Sequence, residues 1–234
     1  MILLTGGTGF LGRFIVDELL THGHQVRLLA RSPEKVQARE GVEIVEGDLR
    51  DQLALERAMD GVTHVIHAAA MVSFWSRKRD EMFEINAKGT ALLVDLALEA
   101  NVEKFVQISS VSALGRRKNS GPIDESAKWI KSKLNTNYGR SKYLAELEVL
   151  RGVQEGLNAV MCNPGIIIGP GDWDQGPPKM FKMIHKGLRY YNPGITGFVP
   201  AVDVARATRL LMGSEFVNGE RFVLVSDSIP YKDF

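Results

Sequence analysis

The run Thr5-Gly6-Gly7-Thr8-Gly9-Phe10-Leu11-Gly12, directly after the apolar Met1-Ile2-Leu3-Leu4, constrains this chain more than any other stretch. A strand that enters a glycine-rich turn and leaves it as a helix offers unpaired backbone N–H groups and the positive end of a helix dipole to an anion. Glycine is needed there because a side chain would demand the wrong φ or block close approach of a phosphate. The run reads in two registers. Gly7, Gly9 and Gly12 give G-x-G-x-x-G, and Gly6, Gly9 and Gly12 give G-x-x-G-x-x-G. Phe10, Leu11, Phe14, Ile15, Leu19 and Leu20 then follow at helical spacing. Strand, glycine turn and helix in that order point to a dinucleotide pyrophosphate site.

Further strands are expected at 25–30, 42–45, 64–68, 105–109 and 159–162, with helices around 10–19, 51–59, 81–100 and 138–156. Near-continuously apolar strands alternating with helices predict an α/β fold, a Rossmann-type doubly wound parallel sheet covered on both faces. Ligands on such a sheet sit at the carboxyl ends of the strands, where strand order reverses. After Pro164 the texture changes. Segments 166–178 and 190–200 are turn-rich and read as loops and short elements of a smaller substrate-covering region. A helix is expected at 201–212 and a strand at 221–225. The division expected is a dinucleotide-binding domain over 1–165, with 198–226 returning to it, and a substrate-binding part over 166–197 and 227–234.

Net charge is +1 over 234 residues, with both signs interspersed, so no surface for nucleic acid or membrane is expected. Arg77-Lys78-Arg79 and Arg116-Arg117-Lys118 read as solvated loops. A lone cysteine, Cys162, excludes an internal disulfide, sits in an apolar strand as a packing residue, and fits a cytoplasmic location. No apolar run is long enough to span a bilayer. His22, His24, His64, His67 and His185 show no metal-ligand spacing, so no metal is expected. His67 reads as a buried structural residue, with a hydrogen bond near the cofactor as the competing role. Phe74, Trp75, Trp173 and Phe181 read either as substrate-pocket walls or as ordinary packing.

An acid at the end of the second strand would bind the free 2′-OH of an adenosine ribose and repel a 2′-phosphate. Here Leu28-Leu29-Ala30-Arg31-Ser32 carries no acid. Arg31, with Lys35 one turn on, suits a phosphate, so NADP(H) is favoured over NAD(H); Arg31 as a plain loop cation is the alternative. Asp48 is placed to accept from the adenine amino group or, alternatively, to cap a helix. Tyr138 and Lys142 are four positions apart, on one helix face. An ammonium beside a phenol favours the phenolate and lets tyrosine exchange a proton with a substrate alcohol or carbonyl. Ser109-Ser110, at the end of the fifth strand, can bind the same substrate oxygen or form a strand-end turn.

These residues together resemble the extended short-chain dehydrogenase/reductases, the NAD-dependent epimerase/dehydratase group. The likeness rests on Thr5 to Gly12, Gly47-Asp48-Leu49, His67-Ala68-Ala69-Ala70, Asn86-Ala87-Lys88-Gly89-Thr90, Ser109-Ser110, Tyr138 to Lys142, and Asn163-Pro164-Gly165. It implies the register Gly6, Gly9, Gly12, with Ser110 as catalytic serine ahead of Ser109, and Tyr138 as general acid/base. Lys142 would hold the nicotinamide ribose and tune Tyr138. Asn86 would lie in the cofactor site, and Ala68, Ala69 and Ala70 would line its cleft. The resemblance also puts Thr8, Phe10, Leu11, Leu49, Ser109, Asn163, Pro164 and Gly165 at the cofactor. Ala30 to Lys35 and Gly165 to Asp172 look most like the dihydroflavonol-reductase-like branch, which reduces ketones and aldehydes with NADPH. Sugar-nucleotide epimerases usually carry an acid where Ala30 stands.

The expectation is therefore a reductase interconverting a small-molecule carbonyl and alcohol. An epimerase or dehydratase holding NAD is the alternative, and a cofactor-sensing protein without turnover is the reading from another class. Family members continue beyond this chain's end, so the substrate-binding part is expected to be incomplete. A homodimer paired through the helices around 81–100 and 138–156 is also implied, which composition does not establish.

Overall fold

Strand β1 (Ile2–Thr5) is buried at every position, as a strand must be when helices cover both faces of its sheet. The computed structural model describes residues 1–116, 121–174, 176–187 and 194–233. From β1 the chain runs through α1 (Phe10–Thr21), β2 (Val26–Ala30), β3 (Val42–Glu46), α2 (Gln52–Met59), β4 (His64–His67), α3 (Arg79–Phe83), α4 (Gly89–Glu99), β5 (Lys104–Ile108), α5 (Asn137–Gln154) and β6 (Ala159–Pro164). It continues through β7 (Ile166–Ile168), α6 (Lys179–His185), β8 (Ile195–Pro200), α7 (Ala201–Met212), β9 (Arg221–Leu224) and β10 (Asp227–Pro230).

Seven strands form one sheet in the order β3-β2-β1-β4-β5-β6-β9, every neighbouring pair parallel. Successive strands run outward one way from β1 to β3 and the other way from β4 onward, so the strand order reverses between β1 and β4. A crevice opens at such a point. Alternation along the strands assigns the two faces. Leu3, Val65, Phe105 and Met161 pack with Leu55, Leu93 and Val149 of α2, α4 and α5. Leu4, Ile66, Val106 and Val160 pack with Ile15, Leu19 and Ala205 of α1 and α7.

The doubly wound parallel sheet is the fold expected from the sequence, but three local features differ. The single helix expected around 81–100 is α3 and α4 joined by a π-helical turn, Glu84–Lys88. Residues 195–200, expected within a turn-rich stretch of loops and short elements, are the strand β8, which pairs in parallel with β7 and antiparallel with β10 in a second, three-stranded sheet. β8 thereby crosses the boundary expected at 197–198. Arg77 and Lys78 belong to a short 3-10 turn and Arg79 opens α3, so this cluster is helical rather than a loop, with Lys78 paired to Glu81. Arg117 and Lys118 lie outside the described residues. No helix among the described residues is long and apolar enough to cross a membrane.

Candidate active site

At the strand-order reversal a cleft of about 460 Å³ opens along the ends of β1 to β4. It brings together Gly6, Thr8, Gly9, Arg31, Asp48, Leu49 and Ala68 to Ala70. Gly6 has φ +74, and a Cβ there would stand 2.5 Å from Ala69 N, inside the cleft wall. Gly9 is the N-cap of α1, with no side chain bonded across the cap and no acid in the first turn. An uncovered helix N-terminus with room in front of it is what a pyrophosphate requires, so the residues present fit a dinucleotide.

Gly12 holds α1 against the turn, where a Cβ would meet Gly6 O at 2.1 Å. Leu11 turns into the α1/α7 core, and Phe10 packs edge-on against Phe14 and lies under Gly171. Arg31 and Lys35 are exposed, Arg31 at the cleft rim and Lys35 in a 3-10 turn beyond it.

Asp48 corrects one alternative. Its carboxylate accepts from Arg50 N at 3.0 Å and Nε at 2.7 Å, and those contacts hold it below the usual carboxylate range. The cap of α2 is Asp51, accepting from Ala54 N at 3.1 Å. Neither Arg50 nor Glu81, which lines the same cleft, stood out in the sequence.

Beyond the cleft, α5 and the end of β5 meet. Thr136 caps α5, and the first turn presents Tyr138. Ser110 stands beside the Tyr138 phenol, and its Oγ accepts from Ser112 N at 3.1 Å. Lys142 Nζ donates to Ile108 O at 2.7 Å. The tyrosine and lysine share a face, but the expected electrostatics differ. Burial raises the phenol above its ordinary value, and the neighbouring Ser110 opposes that rise. The amine is turned to the β5 carbonyl, and its own burial pulls it down to about 8. Ser109 is buried with its hydroxyl on Glu146, so Ser110 is the serine beside the phenol.

The sequence matches the NAD dependent epimerase/dehydratase family over residues 2–224. The chain belongs to that family. It is 35% identical to sterol demethylase protein B of Methylococcus capsulatus over 96% of this chain and 69% of that protein. It is 34% identical to a putative dihydroflavonol 4-reductase of Synechocystis over 97% of this chain and 68% of that protein. Among solved structures, the UDP-glucose 4-epimerase of Thermus thermophilus in complex with NAD superposes with a TM-score of 0.82, at 27% identity, covering 99% of this chain and 80% of the epimerase. Family membership makes the chain an enzyme of the extended short-chain dehydrogenase/reductase type, which binds NAD(P) and acts on small molecules.

In this family member the wall of the cleft is tied to the sheet by a buried polar chain. Ala69 N donates to Thr5 Oγ1 at 3.3 Å, and Thr5 Oγ1 lies 2.6 Å from His67 Nδ1. His67 Nε2 lies 3.0 Å from Thr90 Oγ1, whose hydroxyl donates to Asn86 O at 2.6 Å. Thr90 has thus spent its proton, so Nε2 carries the ring proton and Nδ1 accepts from Thr5. Asn86, in the π-helical turn, clips Met71 through both backbone groups, at 2.7 and 2.8 Å. Asn86 and His67 therefore support the cleft wall from behind. Asn163 is buried on β6, its amide donating to Ser110 O at 3.0 Å and to Glu146 at 2.6 Å. Pro164 ends β6, and Gly165 N donates to Leu224 O at 3.0 Å where the chain leaves for the second sheet. Phe74, Trp75 and Trp173 are exposed.

Burial pulls His67 down to about 3, against 6.5 in an unfolded chain. Between those values the unfolded chain holds a proton that the native ring refuses. Stability therefore falls as pH drops below about 6.5, by about 1.4 kcal/mol per pH unit from this ring. Urea unfolding between pH 7 and 5 should show that slope in the wild type, and His67→Gln should lose about one proton's worth of it. An undiminished slope in the variant would refute the assignment.

Proposed function

We propose that this enzyme is an NADP(H)-dependent reductase that interconverts a carbonyl and an alcohol on a small organic substrate. The observation that carries the reading is the placing of Ser110 beside the Tyr138 phenol, with Lys142 one turn along the same helix, at the same strand ends as the glycine cleft. We assign the cofactor to Gly6, Thr8, Gly9, Arg31, Asp48, Leu49 and Ala68 to Ala70, with the backbone at Gly12 setting α1 in place. When bound, the nicotinamide supplies the hydride. Tyr138 gives its proton to the substrate oxygen, which the Ser110 hydroxyl also polarises. We assign Lys142, whose amine donates to Ile108 O, to the nicotinamide-ribose end of the site. The seven-stranded sheet and its helices hold the cofactor, and the three-stranded sheet with α6 covers the substrate. A second cavity of about 410 Å³, between Leu114–Arg116 and 122–130, adjoins the Ser110 turn and extends the substrate side.

Arg31 supports the choice of NADP(H). β2 ends in Ala30 and an exposed Arg31, with no acid to take a ribose 2′-OH. The nearby Asp48 carboxylate is occupied by Arg50. A guanidinium there matches a 2′-phosphate. The epimerase or dehydratase reading is supported by the family match and by the superposition on the NAD-bound epimerase.

A fluorescence titration separates the two readings. Exchangeable NADPH bound much more tightly than NADH supports the reductase, whereas NAD retained through purification supports an epimerase or dehydratase. Arg31→Ala should weaken NADPH by about 10- to 100-fold, the worth of one charge-assisted contact, and change NADH by about 2-fold or less. Equal losses for both nucleotides would refute the 2′-phosphate assignment.

A further inference from the structure

Behind the reactive face, α5 carries a carboxylate with no place in the reading above. Glu146 follows Lys142 by four positions, one turn along the same helix face, and is only 2% exposed. A carboxyl so deeply buried must be matched by partners. Its Oε1 accepts from Ser109 Oγ and from Asn163 Nδ2, and its Oε2 faces Arg221 Nη1 of β9 at 3.6 Å. Three successive residues at the end of β5 are thereby held from α5. Lys142 holds the Ile108 carbonyl, Glu146 holds the Ser109 hydroxyl, and Glu146 reaches the Ser110 carbonyl through Asn163.

We propose that Glu146 is a positioning residue for the Ser110/Tyr138/Lys142 site: it clamps the end of β5 so that Ser110 meets the Tyr138 phenol, and it supplies the anion that balances the buried Lys142. This rests on the reading of those three residues as the reactive set. The ionisable groups facing Lys142 are Glu146 on its own helix and His67 on β4, which burial keeps neutral. Those facing Glu146 are Lys142 and Arg221. Burial pulls the Lys142 ammonium down, and Glu146 pulls it back up.

The test reads Lys142 directly, without ligand or turnover. Protein labelled with ¹³C at the lysine ε-carbon is titrated by NMR, and the Lys142 signal is identified by its absence from Lys142→Met. In Glu146→Gln, which keeps the shape and loses the charge, Lys142 should titrate about 1 pH unit or more lower than in the wild type. In Glu146→Asp, which keeps the charge, most of that shift should be absent. A folded Glu146→Gln whose Lys142 titrates at the wild-type midpoint would overturn the proposal. If Glu146→Gln alone fails to fold, the double variant Lys142→Met/Glu146→Gln decides. Recovery of folding supports charge balance, and failure of both shows that Glu146 serves packing alone, which also overturns it. Loss of the parent reading is seen separately, as turnover that survives Tyr138→Phe.

Discussion

Tyr138→Phe should abolish most turnover, by about 100- to 10,000-fold, while the protein still folds and still binds NADPH. That range is what a positioned proton donor contributes. The substitution keeps the ring and removes one oxygen. Losing one hydroxyl contact costs about 1 kcal/mol of stability, too little to unfold a domain of this size. Ser110 keeps its bond from Ser112 N, so the turn that carries it should stay in place. The direction of the phenol's shift sharpens the expectation. With its value raised by burial, Tyr138 is protonated throughout the neutral range and is ready as a donor in the reductive direction. The alkaline limb of a reduction profile then belongs to Lys142, held at about 8, before the phenol itself ionises. Rates and nucleotide affinity measured side by side give the answer. Near-normal turnover in Tyr138→Phe would remove the residue from the chemistry, and lost nucleotide binding would make its role structural.

The parallel sheet and the cleft were legible because their signals are local. A continuously apolar strand, a glycine turn and a helical period all lie within a few residues of one another, and the tight turn leaves the chain one way to continue. The choice between Ser109 and Ser110 was also available. Ser109 shares the strand parity of Phe105 and Gln107, which face α5, so its hydroxyl had to turn inward. The polar layer behind the cleft had no such signal. In Tyr143-Leu144-Ala145-Glu146-Leu147-Glu148, two glutamates look alike, and only packing against β6 and β9 makes one of them buried. Likewise, the aim of Lys142 at Ile108 O depends on where β5 ends against α5. β8 does not stand out as a strand in its turn-rich stretch because Gly194, Gly197 and Pro200 punctuate it, while its partners lie about 30 residues away on either side and cannot be seen locally. The π-helical turn was hidden for the opposite reason, since one extra residue per turn leaves the apolar spacing on both sides intact.

Gly12→Ala should cost the enzyme its nucleotide site and part of its stability together. An added Cβ would lie 2.1 Å from Gly6 O, 2.6 Å from Gly7 Cα and 2.8 Å from Gly7 C. All three neighbours are backbone, so no side chain can swing away, and α1 must move off the turn instead. Overpacking of this kind costs about 1–3 kcal/mol, equivalent to a fall in Tm of about 2–12 °C for a domain of this size. Binding should suffer more than stability. The N–H groups at the start of α1 must all point at one pyrophosphate, and a shift of the helix by even an ångström lengthens every one of those bonds at once. An NADPH affinity lower by about 100-fold or more is expected. Gly9→Ala supplies the contrast, because its Cβ would meet a single atom, Gly6 O, at 3.2 Å. That neighbour can give by a few tenths of an ångström, so Gly9→Ala should melt closer to the wild type than Gly12→Ala does. Thermal unfolding of both variants with and without NADPH tests the ordering. If Gly12→Ala keeps both wild-type Tm and wild-type affinity, α1 is not held by the turn, and the glycine cleft cannot be the pyrophosphate site.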